Sequence, residues 1–183
     1  NTTTLLETPF LTGQATTTLC SQATNQEPSF DKVIFNEIAW MGTTKSASDE
    51  WIELKNISVL PIDLNGWQIF NKSQGLKIFF TTTTIVEAGG FWLLERTNDD
   101  TVFNIKADRI YTGALANTDE ILFLVGPNCV LQDKIIAIPY WQEGNNITKE
   151  TMERNQFYGW QTSSVVGGTP KAKNSIGKDK PSG

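Results

Sequence analysis

The chain is 183 residues long, 39% hydrophobic and 19% charged, a composition that supports one globular domain with irregular ends. Its net charge of −5 and pI near 4.8 argue against gripping a phosphate backbone through broad electrostatics, although Lys171, Lys173, Lys178 and Lys180 cluster near the C-terminus. It contains no histidine, which removes Ser-His-Asp and Cys-His catalysis, His-ligated zinc and the commonest general base near neutral pH.

Residues 1–31 are rich in Thr, Ser, Gln and Asn, with Leu5, Leu6, Phe10 and Leu11 among the few core-formers. Such a stretch buries too little apolar surface to offset its chain entropy, so it reads as a linker or an edge-hugging arm. The chain opens on Asn1 rather than Met and is expected to be a processed product or an excised fragment. Asn-x-Ser/Thr sequons at Asn1, Asn56, Asn71 and Asn146 would mark surface sites in a secreted eukaryotic protein.

From Lys32 the pattern changes to short strands. Val33 to Gly42 places Ile34, Ile38 and Trp40 on one parity, and Ser48 to Asn56 does the same with Ile52 and Leu54, the two-residue period of half-buried strands. Ile62 to Phe70 follows with Asn65-Gly66 as a turn or bulge, then Leu76 to Phe80 and Ile85-Val86. Gly89-Gly90 leads into Phe91 to Arg96, a run apolar enough for a central strand. Thr97 to Asp108 is an acidic loop. Glu120 to Val125 and Val130 to Ile138, joined by Gly126-Pro127-Asn128, form the clearest hairpin. Thr151 to Arg154 and Tyr158 to Trp160 read as short closing elements, and residues 175–183 as a flexible tail.

No helical pattern reaches ten residues, no repeat of 20–50 residues occurs, and no run approaches the ~20 apolar residues of a membrane span. The expected fold is all-β, an antiparallel β-sandwich of about eight or nine strands.

Carboxylates inside apolar strands are the first candidate chemistry. Glu37 and Glu53, with Asp49 and Glu50, could form a glycosidase pair, which requires two carboxyl groups about 5 to 10 Å apart across a cleft. Asp49 and Glu50 could instead join Asp99, Asp100 or Asp119 around calcium, though no EF-hand spacing is present. The plainer expectation is structural: Glu37 and Glu53 are satisfied by Arg96, Arg154 or backbone amides. No catalytic, metal or cofactor-binding residue is assigned.

Cys20 and Cys129 lack Cys-x-x-Cys spacing. They either pair, closing a long loop, or remain one buried and one exposed thiol. Of the six tryptophans, most sit in apolar runs and read as core, while Trp51 and Trp141 are the two whose positions could expose an indole to a sugar ring.

Several motifs in order carry a resemblance: Asn36-Glu37-Ile38-x-Trp40-Met41-Gly42, Asp49-Glu50-Trp51-Ile52-Glu53-Leu54-x-Asn56, Ile62-Asp63-Leu64-x-Gly66-Trp67 and Gly90-Phe91-Trp92-Leu93-Leu94-Glu95-Arg96. Ala107-Asp108-x-Ile110-Tyr111-Thr112-Gly113, Thr151-Met152-Glu153-Arg154, Trp160 and Gly168-Thr169-Pro170-x-Ala172-x-Asn174 continue it. Residues 32–174 thereby resemble the lamin-tail domain in its bacterial form, departing at Lys171, where such tails often carry Gly.

The resemblance implies an immunoglobulin-like sandwich without catalytic residues. In animals this domain is the globular tail of nuclear intermediate filaments and contacts chromatin and envelope proteins. Bacterial relatives occur on secreted or surface proteins, often fused to hydrolases, as attachment modules. The expectation is a non-catalytic interaction module, extracellular or at the cell surface, with a protein or cell-surface partner and with self-association through edge strands left open. A carbohydrate or cell-wall binding domain with a loop calcium is the alternative. Chromatin or nucleic-acid binding is disfavoured by the acidic pI.

Overall fold

Short β-branched and aromatic runs broken by Gly, Pro and Asn can bury their side chains only by stacking strands into sheets. The computed structural model describes residues 18–178. The Thr-rich residues 1–17 with the sequon at Asn1, and residues 179–183 of the tail, lie outside the described residues.

Strands in the first half are β1 (Val33–Ala39), β2 (Trp51–Asn56), β3 (Ile62–Asp63), β4 (Gln68–Asn71), β5 (Lys77–Phe79) and β6 (Ile85–Val86). The second half adds β7 (Phe91–Arg96), β8 (Arg109–Tyr111), β9 (Thr118–Gly126), β10 (Val130–Tyr140), β11 (Glu150–Arg154) and β12 (Trp160–Val166). A six-stranded sheet in the order β12-β11-β1-β2-β7-β8 faces a four-stranded sheet in the order β10-β9-β4-β5, with β3 and β6 as a small separate pair. All pairs are antiparallel except β7 with β8. The all-β immunoglobulin-like sandwich is thus observed.

The strand number exceeds expectation for two local reasons. Gly66, at φ +85°, breaks the run from Ile62 to Phe70 into β3 and β4. β8 is a three-residue strand in a segment whose sequence shows no alternation.

Phe35, Ile38, Ile52, Leu54 and Leu94 of the larger sheet meet Ile69, Ile78, Leu122, Leu124 and Ile135 of the smaller one in the main core. The parity expected for the first strand is corrected by a bulge between Phe35 and Glu37. Val33 and Phe35 face the core before the bulge and Ile38 after it. The extra residue also turns Glu37 onto the outer face.

The outer faces carry their own covers. On the six-stranded sheet, Trp51 and Leu93 are roofed by Val102 and Ile105 of the loop before β8. On the four-stranded sheet, Phe70, Phe123, Val125 and Leu131 are roofed by Cys20 and Ala23 of the N-terminal segment. That segment is an arm, not a free linker: a 3₁₀ turn (Ser21–Asn25) follows Cys20, and Ser29 N and Phe30 N donate to the carbonyls of Leu131 and Gln132 on β10. A disulfide joins Cys20 to Cys129, with Cα atoms 5.3 Å apart.

The two tryptophans singled out for exposure are both buried. Trp51 lies under the loop, and Trp141 stacks parallel to Trp40 at 5.7 Å with its indole N–H donated to the Ala116 carbonyl. Asn56 and Asn71 are buried and internally bonded, which removes them as surface sequons, whereas Asn146 is exposed.

Candidate functional site: a buried glutamate ladder and the grooves beside it

Strand register sets three carboxyl groups side by side. Glu37 on β1 lies opposite Glu53 on β2 and, across its other edge, opposite Glu153 on β11. All three are fully buried. Facing acids repel, and burial penalises each charge, so this row persists only if donors reach it.

Donors come from the C-terminal segment 168–178, which crosses the row as a strap, and from neighbouring positions on β1, β11 and β12. Thr169 N donates to Glu37 Oε1 at 3.0 Å, and Thr169 Oγ1 to Glu37 Oε2 at 2.9 Å. Thr151 Oγ1 also donates to Glu37. Lys171 N donates to Glu53 Oε2 at 2.5 Å and Asn36 Nδ2 to Glu53 Oε1 at 2.8 Å. Gln161 Nε2 and Ser175 Oγ donate to Glu153 Oε1 at 2.9 and 2.5 Å. Gly168, at φ +81°, lies so close that an added Cβ would overlap Glu37 Oε1 and Thr151 Oγ1.

No ion pair reaches the row among the described residues, although the charge of Lys55 acts on Glu53 from nearby. Burial pushes the Glu37 carboxyl up to about 7, against the hydrogen bonds from Thr151 and Thr169. Burial likewise pushes Glu53 up to about 8, with the Glu37 charge adding to the rise. In physical terms the strap holds carboxyl groups that keep a proton near neutrality.

Of the partners expected for Glu37 and Glu53, backbone amides are found at Thr169 and Lys171, whereas Arg96 and Arg154 bind other acids, which corrects that part of the assignment. Arg96 Nη1 reaches Glu50 Oε1 at 3.0 Å, and Glu50 also accepts from Leu115 N at 2.8 Å. Burial pushes Glu50 up to about 7, with both partners opposing the rise. Arg154 Nη2 grips both oxygens of Asp133 at 3.0 and 2.8 Å, and its Nε donates to the Phe35 carbonyl. Asp133 belongs to β10 and Arg154 to β11, so this pair stitches the two sheets together. The guanidinium also lies 3.7 Å from the Trp160 ring centroid and 5.0 Å from that of Phe30.

The acids considered for calcium are dispersed. Asp49 accepts from Thr43 Oγ1, Glu50 is bound as above, and Asp99 accepts from Ala107 N. Among the described residues no three His, Cys, Asp or Glu side chains group as metal ligands.

The tail expected from residue 175 is also corrected over its described part. Gln161 Nε2 donates to the Ser175 carbonyl, Lys178 N to the Thr162 carbonyl, and Lys178 Nζ pairs with Glu150.

Two open grooves flank the strap. One, of about 430 Å³, lies between the β11–β12 turn and residues 173–176, with Lys55, Arg154 and Lys173 among its walls. The other, of about 320 Å³, lies between the strap and the loop before β8, and Thr101, whose hydroxyl is buried without a partner, belongs to its wall. The sequence marked Glu153, Gly168 and Thr169 only as part of the resemblance, not as site residues, and did not mark Asp133. Glu153 carried the available signal, an acid between Met152 and Arg154 in a predicted strand.

A family model described as Lamin Tail Domain matches residues 26–148. The matched stretch ends before β11, β12 and the strap. No curated protein matches the chain.

Proposed function

We infer a function from the premise that this chain belongs to the lamin tail domain family: it is a non-catalytic attachment module that positions a larger secreted or surface protein against a partner. The observation that carries this reading is the state of the acids. The two best catalytic candidates, Glu37 and Glu53, have no exposed surface, and their oxygens are taken by the chain's own N–H and O–H groups. A general acid or a nucleophile must come within hydrogen-bond reach of its substrate. These carboxyls are roofed by the strap.

The Cys20–Cys129 bond supports an oxidising compartment, where such bonds form and persist. The open surface is grooved, which suits recognition. Fold membership alone does not assign a job, so the reading rests on the site.

The test is turnover. The intact chain is incubated with glycoside, phosphodiester and carboxylester substrates at pH 5 to 8, alongside Glu37→Gln and Glu53→Gln. The expected outcome is no product with any of the three proteins. Turnover by the intact chain that vanishes in a folded Glu53→Gln or Glu37→Gln variant would overturn the reading.

A further inference from the structure

The groove between the β11–β12 turn and the strap is lined by cations, amides and aromatic rings. Its walls carry Lys55, Arg154 and Lys173 and not one carboxylate, in a chain of net charge −5. Arg154 is engaged by Asp133, but neither Lys55 nor Lys173 enters an ion pair among the described residues. The acids nearest the floor, Glu53 and Glu153, are sealed beneath it by Asn36 and Lys171 and by Gln161 and Ser175.

Planar amides interleave with these cations. Asn155, Gln156, Gln161 and Asn174 all contribute to the walls. Asn155 Oδ1 accepts from Phe157 N at 2.9 Å and Gly159 N at 3.0 Å, which fixes the turn and leaves its NH₂ as a donor. An aromatic rim completes the groove: Phe157 is 82% and Tyr158 43% exposed. The volume of about 430 Å³ falls among ligand sites, which span roughly 300 to 1,000 Å³.

We propose that this groove binds an acidic oligosaccharide, a chain of uronic acid residues, by its carboxylates and ring hydroxyls. Each wall element has a counterpart on such a ligand. Ammonium groups of Lys55 and Lys173 meet carboxylates in charge-assisted contacts, amides meet vicinal hydroxyls, and the Phe157 ring meets the C–H face of a pyranose. A neutral glycan would leave the lysines without a counter-charge. A polynucleotide would bring many phosphates against a chain that is negative overall. A protein partner would cover the exposed Phe157, Tyr158 and Ile176, but it supplies no repeating carboxylates and hydroxyls for the lysines and amides. This inference rests on the attachment reading above and names its ligand.

The probes are hexamers of galacturonate and of hyaluronan, neutral cellohexaose, and a single-stranded deoxyoligonucleotide of matching charge. Binding is followed by calorimetry with the intact chain, Lys173→Glu, Lys55→Glu and, as a control on the other sheet, Lys77→Glu. Thermal melts verify that each variant is folded. The uronate hexamers are expected to bind, with affinity falling at least tenfold in Lys173→Glu or Lys55→Glu and unchanged in Lys77→Glu.

Equal binding of cellohexaose or of the oligonucleotide, loss of binding in Lys77→Glu, or no uronate binding at millimolar concentration would each overturn the proposal. Products are measured in the same solutions. Hydrolysis of a bound hexamer would defeat the non-catalytic reading, whereas silence of every probe without hydrolysis would defeat only the choice of ligand.

Discussion

At the residue scale, Glu53 gives the clearest prediction. Its carboxyl titrates near 8 in the fold and near 4.5 as an ordinary glutamate. An acid raised on folding stabilises fully below the lower value, and that contribution is lost as pH rises through the higher one. Melting temperature is therefore expected to fall between about pH 5 and pH 8, with Glu37 and Glu50 acting in the same sense. Glu53→Gln, which cannot ionise, is expected to flatten that slope in melts at pH 5, 7 and 9; an unchanged slope would show that Glu53 is not the titrating group.

Gly168 gives the second prediction. Gly168→Ala must displace Glu37 or Thr151 and adopt a left-handed backbone, and is expected to cost at least about 2 kcal/mol in urea unfolding. Lys171 holds φ +57° and pairs with Asp108 at 2.7 Å through a partly exposed contact. Lys171→Gly relieves the first and loses the second, so its net change is expected within about 1 kcal/mol. The burial of Glu37 and Glu53 was legible because they interrupt apolar strands. Their donors were not, because Thr169 and Lys171 lie more than a hundred positions away in a segment without periodicity.

At the element scale, β9 and β10 were legible because a Gly-Pro-Asn turn separates two strong strands. β8 was not, because its three residues gain strand form only from parallel pairing with β7. The bulge in β1 escaped for a related reason, since both parities of that strand are apolar and no sequence signal marks the extra residue.

The arm offers a prediction at this scale. Cys20 and Ala23 roof a small apolar cluster, and the disulfide closes a separation of 109 residues. In the chain-entropy model a loop of that size stabilises by up to about 4–5 kcal/mol. The Cys20→Ser/Cys129→Ser double variant is expected to unfold at lower urea and to exchange the amides of Ser29 and Phe30 faster. Protection unchanged at those two amides would mean that the arm is held by its backbone bonds alone.

At the scale of the whole molecule, the sandwich manages its edges. β5 and β8 are three residues long, β10 is flanked by the arm, and β12 receives Lys178 N at Thr162. Short or covered edges leave little template for pairing between copies, so light scattering from low to high concentration is expected to return a monomer mass. A mass that rises with concentration would show that an edge remains open. The arm and the strap also lie on opposite outer faces, one over the smaller sheet and one over the larger. Pulled by its two ends, the domain would carry load across its thickness. The bond from Cys20 to Cys129 would route tension past the intervening chain, withholding roughly 360–390 Å of extended length for as long as it stayed oxidised. Unfolding of the strands between the two cysteines would then add no length between the ends, and the strap's bonds to Glu37 and Glu53 would take the load instead.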